Sequence, residues 1–375
     1  MARITLVSRN FPPLTGGMER LVHELYRKLL LNHEIALLGP SGCEAFVDAD
    51  RGVRATTIYP TPIFLLLTFL KGFYLHLMSG RPDLVIGGSG LVGPVVVLLA
   101  KLSGAKSVLL LHGLDIVADS RLYRWFFVPF LKRADSVVCN SRNTAGLAIK
   151  EGVDELNIVI INPGVDLTGA SISHREAKQS LGLEGKTILL SIGRLIPRKG
   201  LAEFIAGSFA DLAADDAEII LLIAGSEASN AINRAGVGVL SDIEAAIASH
   251  GLAKQVQLLG YVGDDEIPAL YAAADVFVFP LVETRGDVEG FGMVAVEAAA
   301  HGTPTVAFDC GGVSDAVVDG INGFLVPPGS YSKFSAAVVR LIHEDMRSSA
   351  REFASRFSWN DYGVKMNACI EKVLT

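Results

Sequence analysis

The sequence predicts two doubly wound α/β domains in tandem, and three observations carry that reading. The chain has 375 residues, more than one hydrophobic core serves, and about 150 residues per domain points to two or three domains. Short runs rich in leucine and β-branched residues alternate with longer helical patterns, the signature of parallel sheets covered by helices on both faces. A polar stretch, "DLTGASISHREAKQSLGLEGK", separates two series of such runs. The first series predicts strands at 3–8, 34–38, 53–58, 83–87, 107–112, 136–140 and 158–161. The second predicts strands at 187–192, 218–224, 255–259, 276–280, 305–308 and 323–326. The domain boundary is expected near Asp166. In such sheets the loops and helix N-termini gather at the carboxyl edge of the strands, so function is expected in a cleft there.

Composition excludes several classes. Apolar residues make up 50% and charged ones 19%, too apolar for a disordered or fibrous chain. Lysine plus arginine number 33 against 40 acids, a formal charge of −7, which argues against a nucleic-acid partner. Cys43, Cys139, Cys310 and Cys369 are far apart and form neither a metal-ligand pattern nor a disulfide framework, as in a reducing cytoplasm. The opening stretch reaches Arg9 after an apolar run too short for an export signal. Two charge-poor stretches, 55–70 and 84–100, are interrupted by Pro60 and Pro62 or by Gly87, Gly88, Gly90, Gly93 and Pro94, and read as soluble rather than spanning.

Four strand ends carry residues suited to chemistry. Gly16 and Gly17 lie between the first strand and a helix expected from Met18, where the backbone can approach an anion or simply turn tightly. In "SIGRLIPRKGL", Arg194 and Lys199 lie five residues apart before a helix expected near Gly200. They suit a diphosphate clamp, or a solvated basic turn. "LVETRGDVEGFGMVAVEAAAHGTP" is the most informative. Glu297 is the eighth residue after Glu289, which places Glu289 in a loop and Glu297 on the second turn of a helix at 293–300. The N–H groups of Gly290, Phe291, Gly292 and Met293 lie near that helix start, where they meet anions or sugar hydroxyls. Glu297 is an acid in an otherwise small, apolar helix and therefore needs a partner. His112 ends a strand, in either a structural or a catalytic role. Asn140, Ser141 and Arg142 end another and offer an acceptor contact, and Gly311 with Gly312 makes either a turn or a cleft lining.

Taken together the motifs resemble glycosyltransferase family 4, retaining nucleotide-sugar transferases of the GT-B fold, and especially bacterial glycolipid and polysaccharide mannosyl- or glucosyltransferases. The carriers, in the family's order, are "FPPLTGGMER", "HGLD", "NSRNT", "NPGVD", "GRLIPRKG", "AGS", "LGYV", "EGFGMVAVEA", "GTPTVAF" and "GINGFLV". The resemblance implies an N-terminal acceptor-side domain, 1–166, and a C-terminal nucleotide-sugar domain, 167–357, with a final helix, 358–375, crossing back to the first. It implies a hexose moved from a UDP- or GDP-sugar to a hydroxyl of a lipid-linked, saccharide or small-molecule acceptor. Gly16 and Gly17 would approach the donor diphosphate, with Arg194 and Lys199 clamping it. Glu297 would hold the ribose, and Glu289 with the backbone from Gly290 to Val294 the transferred sugar. Val262 would present its backbone to the base and His112 would lie against the reacting sugar. Asp115, Asn140 and Arg142 are the acceptor-side candidates. The resemblance implies neither a protein nucleophile nor a cofactor, and the cationic clamp would take the charge a metal would otherwise neutralise. The Asp48-Ala49-Asp50 triplet, which matches a metal motif of another transferase fold, is read as chance.

Two other readings stand beside this one. Gly88-Ser89-Gly90-Leu91-Val92-Gly93, followed by Asp115, matches a dinucleotide fingerprint and would make the protein an NAD-dependent oxidoreductase, although at the fourth strand rather than the first. A nucleotide-sugar epimerase or a phosphorylase would keep the fold and change the reaction. The stretch 63–78 has apolar residues at helical spacing and on other faces too, consistent with a buried helix or with a membrane contact aided by "RLYRWFFVPFLKR". The second case would place a cytoplasmic protein at the inner face of the membrane.

Overall fold

The computed structural model describes residues 1–47, 52–58, 60–117, 120–167, 172–227 and 238–375; the Asp48-Ala49-Asp50 triplet lies outside them. The chain divides into two compact units, one formed by Met1–Gly164 with Trp359–Thr375 and the other by Val165–Ser358. The first junction falls between Gly164 and Val165, close to the expected Asp166. Val165 belongs to the second unit because its N–H donates to the Phe357 carbonyl at 2.7 Å and it bridges to Ser358.

In the first unit seven strands, β1 (Arg3–Val7), β2 (Glu34–Pro40), β3 (Val53–Thr56), β4 (Leu84–Gly87), β5 (Lys106–Leu111), β6 (Ser136–Cys139) and β7 (Ile158–Ile160), form one sheet in the order β3-β2-β1-β4-β5-β6-β7. Every pairing is parallel. The order reverses between β1 and β4, with Ile4 paired to Ile35 on one side and to Leu84 on the other. The second unit repeats the plan with β8 (Thr187–Ile192), β9 (Ile219–Ala224), β10 (Val256–Gly260), β11 (Val276–Phe279), β12 (Thr305–Phe308) and β13 (Gly323–Val326), ordered β10-β9-β8-β11-β12-β13. Here the reversal lies between β8 and β11. Such switch points are where open α/β sheets bind ligands, because the loops leaving the two strands diverge to opposite faces.

The strands are continuous apolar runs because both faces are covered. Leu84, Val85 and Ile86 are wholly buried, as are Val276, Phe277 and Val278. Helix α1 (Gly17–Leu30) turns Leu21, Val22, Leu25, Tyr26 and Leu29 inward and meets the final helix, Trp359–Leu374, through Tyr362, Met366 and Ile370. Close approach there depends on Gly363, whose absent side chain would lie 2.9 Å from Lys28.

Helix α2 (Thr61–Ser79) spans the stretch whose prolines argued against a continuous apolar segment. Pro60 is its N-cap and Pro62 sits in its first turn, where no intrahelical N–H is needed, so they start the helix instead of breaking it. Phe64, Thr68, Gly72, Leu75 and His76 face inward, while Ile63, Leu66, Leu70, Phe73, Tyr74, Leu77 and Met78 are exposed. By length and apolarity α2 meets the requirement for a membrane span. Its inward face nevertheless packs on α3 (Gly93–Ser103): Gly72 brings the backbone so close that a side chain would strike Leu99 at 2.6 Å.

Candidate active site

In the second unit the site is built from the two loops at the switch point. Strand β8 ends at Ile192 and the chain runs through Gly193 and Arg194 into a single 3-10 turn, Pro197–Lys199. That turn is fastened to the end of β11. Gly200 has φ +62°, an added Cβ would lie 2.1 Å from the Pro280 carbonyl oxygen, and Val282 donates its N–H to the Arg198 carbonyl at 2.9 Å. Only glycine fits that position. The helix expected here begins at Leu201.

Lys199 thereby reaches Glu289, the loop residue after β11. Its Nζ donates to Oε2 of Glu289 at 3.2 Å, and Nη2 of Arg198 donates to the same oxygen at 3.1 Å. Both partners of the lysine pair are nearly enclosed, with 11% and 14% of their side chains exposed. Burial alone would push the Glu289 carboxyl up, but the two cations overcome it and hold its pKa at about 2. Burial pulls the Lys199 ammonium below the ordinary lysine value, which Glu289 partly offsets. The ammonium also sits 4.4 Å from the centre of the Phe279 ring, a face attractive to cations. Arg194, by contrast, is exposed and makes no ion pair among the described residues.

Glu289 is placed through its backbone as well. Gly312 donates its N–H to the Glu289 carbonyl at 2.8 Å, and Gly311, at φ +64°, leaves room for that oxygen, which would be 2.6 Å from a side chain there. The glycine pair therefore serves the site as a turn that seats Glu289. Gly290 and Phe291 are buried, and Gly292 (φ +97°) caps the helix Met293–Ala300 without a side-chain bond to its first N–H groups, those of Met293 and Val294 among them. Glu297, on the second turn, is partly exposed and accepts a 3.1 Å bond from the hydroxyl of Tyr271, the partner its sequence setting demanded. Val262 follows β10, partly buried against the unit's core.

In the first unit the residues gather at the carboxyl edge around β1, β4 and β5. Gly16 (φ +151°) is the N-cap of α1, which begins at Gly17, one residue before the expected Met18. The Glu19 carboxylate stands in front of this helix start, held at 2.7 Å by the Asn10 amide. His112 is buried, and its Nε2 donates to the Gly88 carbonyl oxygen at 2.7 Å. Asp115 accepts the His112 N–H at 3.2 Å. Asn140 is engaged internally, its side-chain oxygen bonded by Thr144 at 2.7 Å, while Arg142 is exposed at the start of the helix Arg142–Lys150.

The dinucleotide-like glycines serve packing. A side chain at Gly88 would lie 2.5 Å from Ser8 Oγ and one at Gly90 2.9 Å from Asp115. Gly90–Val92 forms a 3-10 turn before α3 begins. These residues close the space between β1, β4 and the turn after β5.

Sequence reasoning missed Arg198, Asp287 and Tyr271. Arg198 was hidden beside Lys199 in "PRKG", and its bonds go to acids about ninety positions away, Asp287 at 3.1 Å and Glu289. The available signal was charge balance, two adjacent cations in one loop and two acids in "GDVEG" in the other.

Comparison with known proteins agrees with this architecture. Residues 15–168 match the family model described as Glycosyltransferase Family 4, and residues 173–358 match the model described as Glycosyl transferases group 1. The chain is 26% identical over 387 residues to a GDP-mannose-dependent alpha-(1-6)-phosphatidylinositol monomannoside mannosyltransferase of Mycolicibacterium smegmatis, covering 96% of each protein. It is 31% identical over 240 residues to D-inositol 3-phosphate glycosyltransferase 2 of Catenulispora acidiphila, covering 60% of this chain and 53% of that one. Among solved structures it is similar in fold to Anabaena HepE in complex with UDP, with a TM-score of 0.81 at 22% identity over 99% of this chain and 100% of the other. The two sheets, each reversing order at its centre, are those of the GT-B fold, and the chain belongs to the glycosyltransferases that join a family 4 domain to a group 1 domain.

Proposed function

We propose that the protein is a retaining hexosyltransferase that takes its sugar from a nucleoside diphosphate and passes it, without a metal, to a hydroxyl on a lipid-linked acceptor at the inner face of the cytoplasmic membrane. The observation that carries the reading is the convergence of Arg194, Lys199 and Glu289 at the β8/β11 switch point. A guanidinium that is exposed and unpaired among the described residues, and a lysine with two further N–H donors, suit a diphosphate, whose charge grows as it leaves. Glu289 would meet the transferred sugar, the backbone of residues 290–294 would support it, and Glu297 would accept from the ribose hydroxyls. The base would lie against Val262, and Gly16 and Gly17 would face the diphosphate from the first unit. In this scheme the bond between the anomeric carbon and the phosphate oxygen breaks and the diphosphate keeps the electron pair. The acceptor oxygen bonds to the same face of that carbon, and its proton passes to the departing phosphate oxygen. His112 would accept from a donor hydroxyl through Nδ1, with Asp115, Asn140 and Arg142 lining the acceptor side.

The outward face of α2 supports the membrane part, since Leu66 and Leu77 are 58% and 68% exposed and an apolar stripe of this kind favours an interface. Trp125, 74% exposed and flanked by Arg121 and Arg124, is a second anchor of the same chemistry. The relatives' names make GDP-mannose and inositol lipids the first substrates to test. Incubation with each sugar nucleotide and an inositol-lipid extract, followed by NMR of the product, tests the reading. A product whose anomeric configuration matches the donor, formed equally in EDTA, is expected. Inversion, or dependence on an added divalent cation, would overturn it.

A further inference from the structure

We propose that Arg198, which the diphosphate clamp does not require, is a positioning residue for the transfer: it bridges Asp287 and Glu289, so that the sugar-facing carboxylate keeps a fixed place and a cationic partner when Lys199 turns to the diphosphate. The inference rests on the function proposed above for this site.

Arg198 cannot swing freely. Its carbonyl is bonded by Val282, the turn carrying it is pinned at Gly200, and only 14% of its side chain is exposed. From this anchored backbone the guanidinium spans two acids of the facing loop, Nη1 to Asp287 Oδ2 and Nη2 to Glu289 Oε2, each at 3.1 Å. A planar fork does this with defined geometry; an ammonium at the same place would act as a point charge. Oε2 of Glu289 thus receives both cationic donors. Oε1 receives none from the described residues and is left for a ligand hydroxyl.

Charge explains why a second cation is needed. Arg198, Lys199, Asp287 and Glu289 sum to zero, so a diphosphate arriving at Lys199 and Arg194 adds negative charge beside a nearly buried carboxylate. With Lys199 alone, Glu289 would share its single cation with the incoming anion and be repelled or protonated. Arg198 keeps the carboxylate partnered, and Asp287 fixes the direction of the guanidinium. The other charged or titratable groups near Glu289 are Glu283, Asp309 and Cys310, whose thiol burial and these acids push up, and Arg194 beyond Lys199. None of them supplies a second cation in contact with the carboxylate.

The test compares wild type with Arg198→Met, Arg198→Lys and Asp287→Asn, each first confirmed folded by circular dichroism. With the best donor, Arg198→Met is expected to lower kcat at least about tenfold while donor KM changes less than about threefold, and to move the acid limb of the kcat profile upward. Arg198→Lys is expected to recover part of kcat, and Asp287→Asn to show a weaker version of the same pattern. Titration of the Glu289 carboxyl by carbon NMR reads the same effect without turnover, as a rise of at least about one pH unit in Arg198→Met. A wild-type titration and pH profile in both Arg198→Met and Asp287→Asn would overturn the proposal, as would a loss confined to donor KM. If wild type turns over no sugar nucleotide, the function fails, and the NMR titration still decides whether Arg198 governs Glu289.

Discussion

Lys199 donates its ammonium to Glu289 across 3.2 Å, joining the loop after β8 to the loop after β11 in a contact from which water is almost excluded. This pair makes the switch point of the second unit a charged site instead of a gap between loops. Under the proposed function it also ties stability to activity, because the groups assigned to the nucleotide sugar are the ones that hold the loops together.

Removing one partner leaves a buried charge exposed to its neighbours' repulsion. Glu289→Gln is expected to destabilise the protein by about 3 kcal/mol, the usual consequence of breaking a buried ion pair, and to lower kcat with the best donor at least about a hundredfold. Urea unfolding at neutral pH and steady-state kinetics measure the two effects separately.

The same pair predicts an acid response. The Glu289 carboxyl is held at about 2, below its ordinary 4.5. The unfolded chain therefore takes up the proton first, and the stability this group contributes is complete above about pH 4.5 and lost as pH falls toward 2. Urea midpoints between pH 6 and pH 3 should fall less steeply in Glu289→Gln than in wild type.

In the proposed diphosphate clamp, Arg194 and Lys199 differ in setting. Arg194 is exposed and unpaired among the described residues, so Arg194→Ala should leave unfolding stability within about 0.5 kcal/mol of wild type while sharply weakening donor turnover. Lys199→Ala should lose both stability and turnover. Melting temperatures set beside nucleoside diphosphate release separate the two.

The fold was legible in the sequence because both faces of each sheet are covered. All thirteen expected strands form, since apolar runs such as "TILLSI" and "IILLIA" suit strands buried on both sides. The ends are less well marked: β3 stops at Thr56, short of the expected Ile58. The junction at Val165 depends on a partner at Phe357 that no local pattern reveals. At the site, the spacing of Glu289 and Glu297 was readable because both belong to one loop-helix unit. Arg198 with Asp287, and Tyr271 with Glu297, were not, because each pairing is made by tertiary contact between separate elements.

Gly311→Ala tests how the backbone seats Glu289. The new methyl group would stand 2.6 Å from the Glu289 carbonyl oxygen at a φ of +64°, so the variant should be destabilised by about 1–3 kcal/mol and impaired in turnover while keeping every charged group of the site. Normal kinetics would show that the glycine pair is only a turn.

The exposed face of α2 predicts that Leu66→Glu with Leu77→Glu abolishes flotation with anionic vesicles while slow hydrolysis of the donor in solution continues. Wild-type flotation by the double variant would remove α2 from the membrane proposal.

The most direct test is release of nucleoside diphosphate from a panel of UDP-, GDP- and ADP-sugars by wild type, Arg194→Ala and Glu289→Ala. Wild type is expected to consume one donor selectively, and both folded variants to be at least about a hundredfold slower with it. Equal rates in all three proteins, or no consumption and no binding of any sugar nucleotide by wild type, would contradict the proposed function.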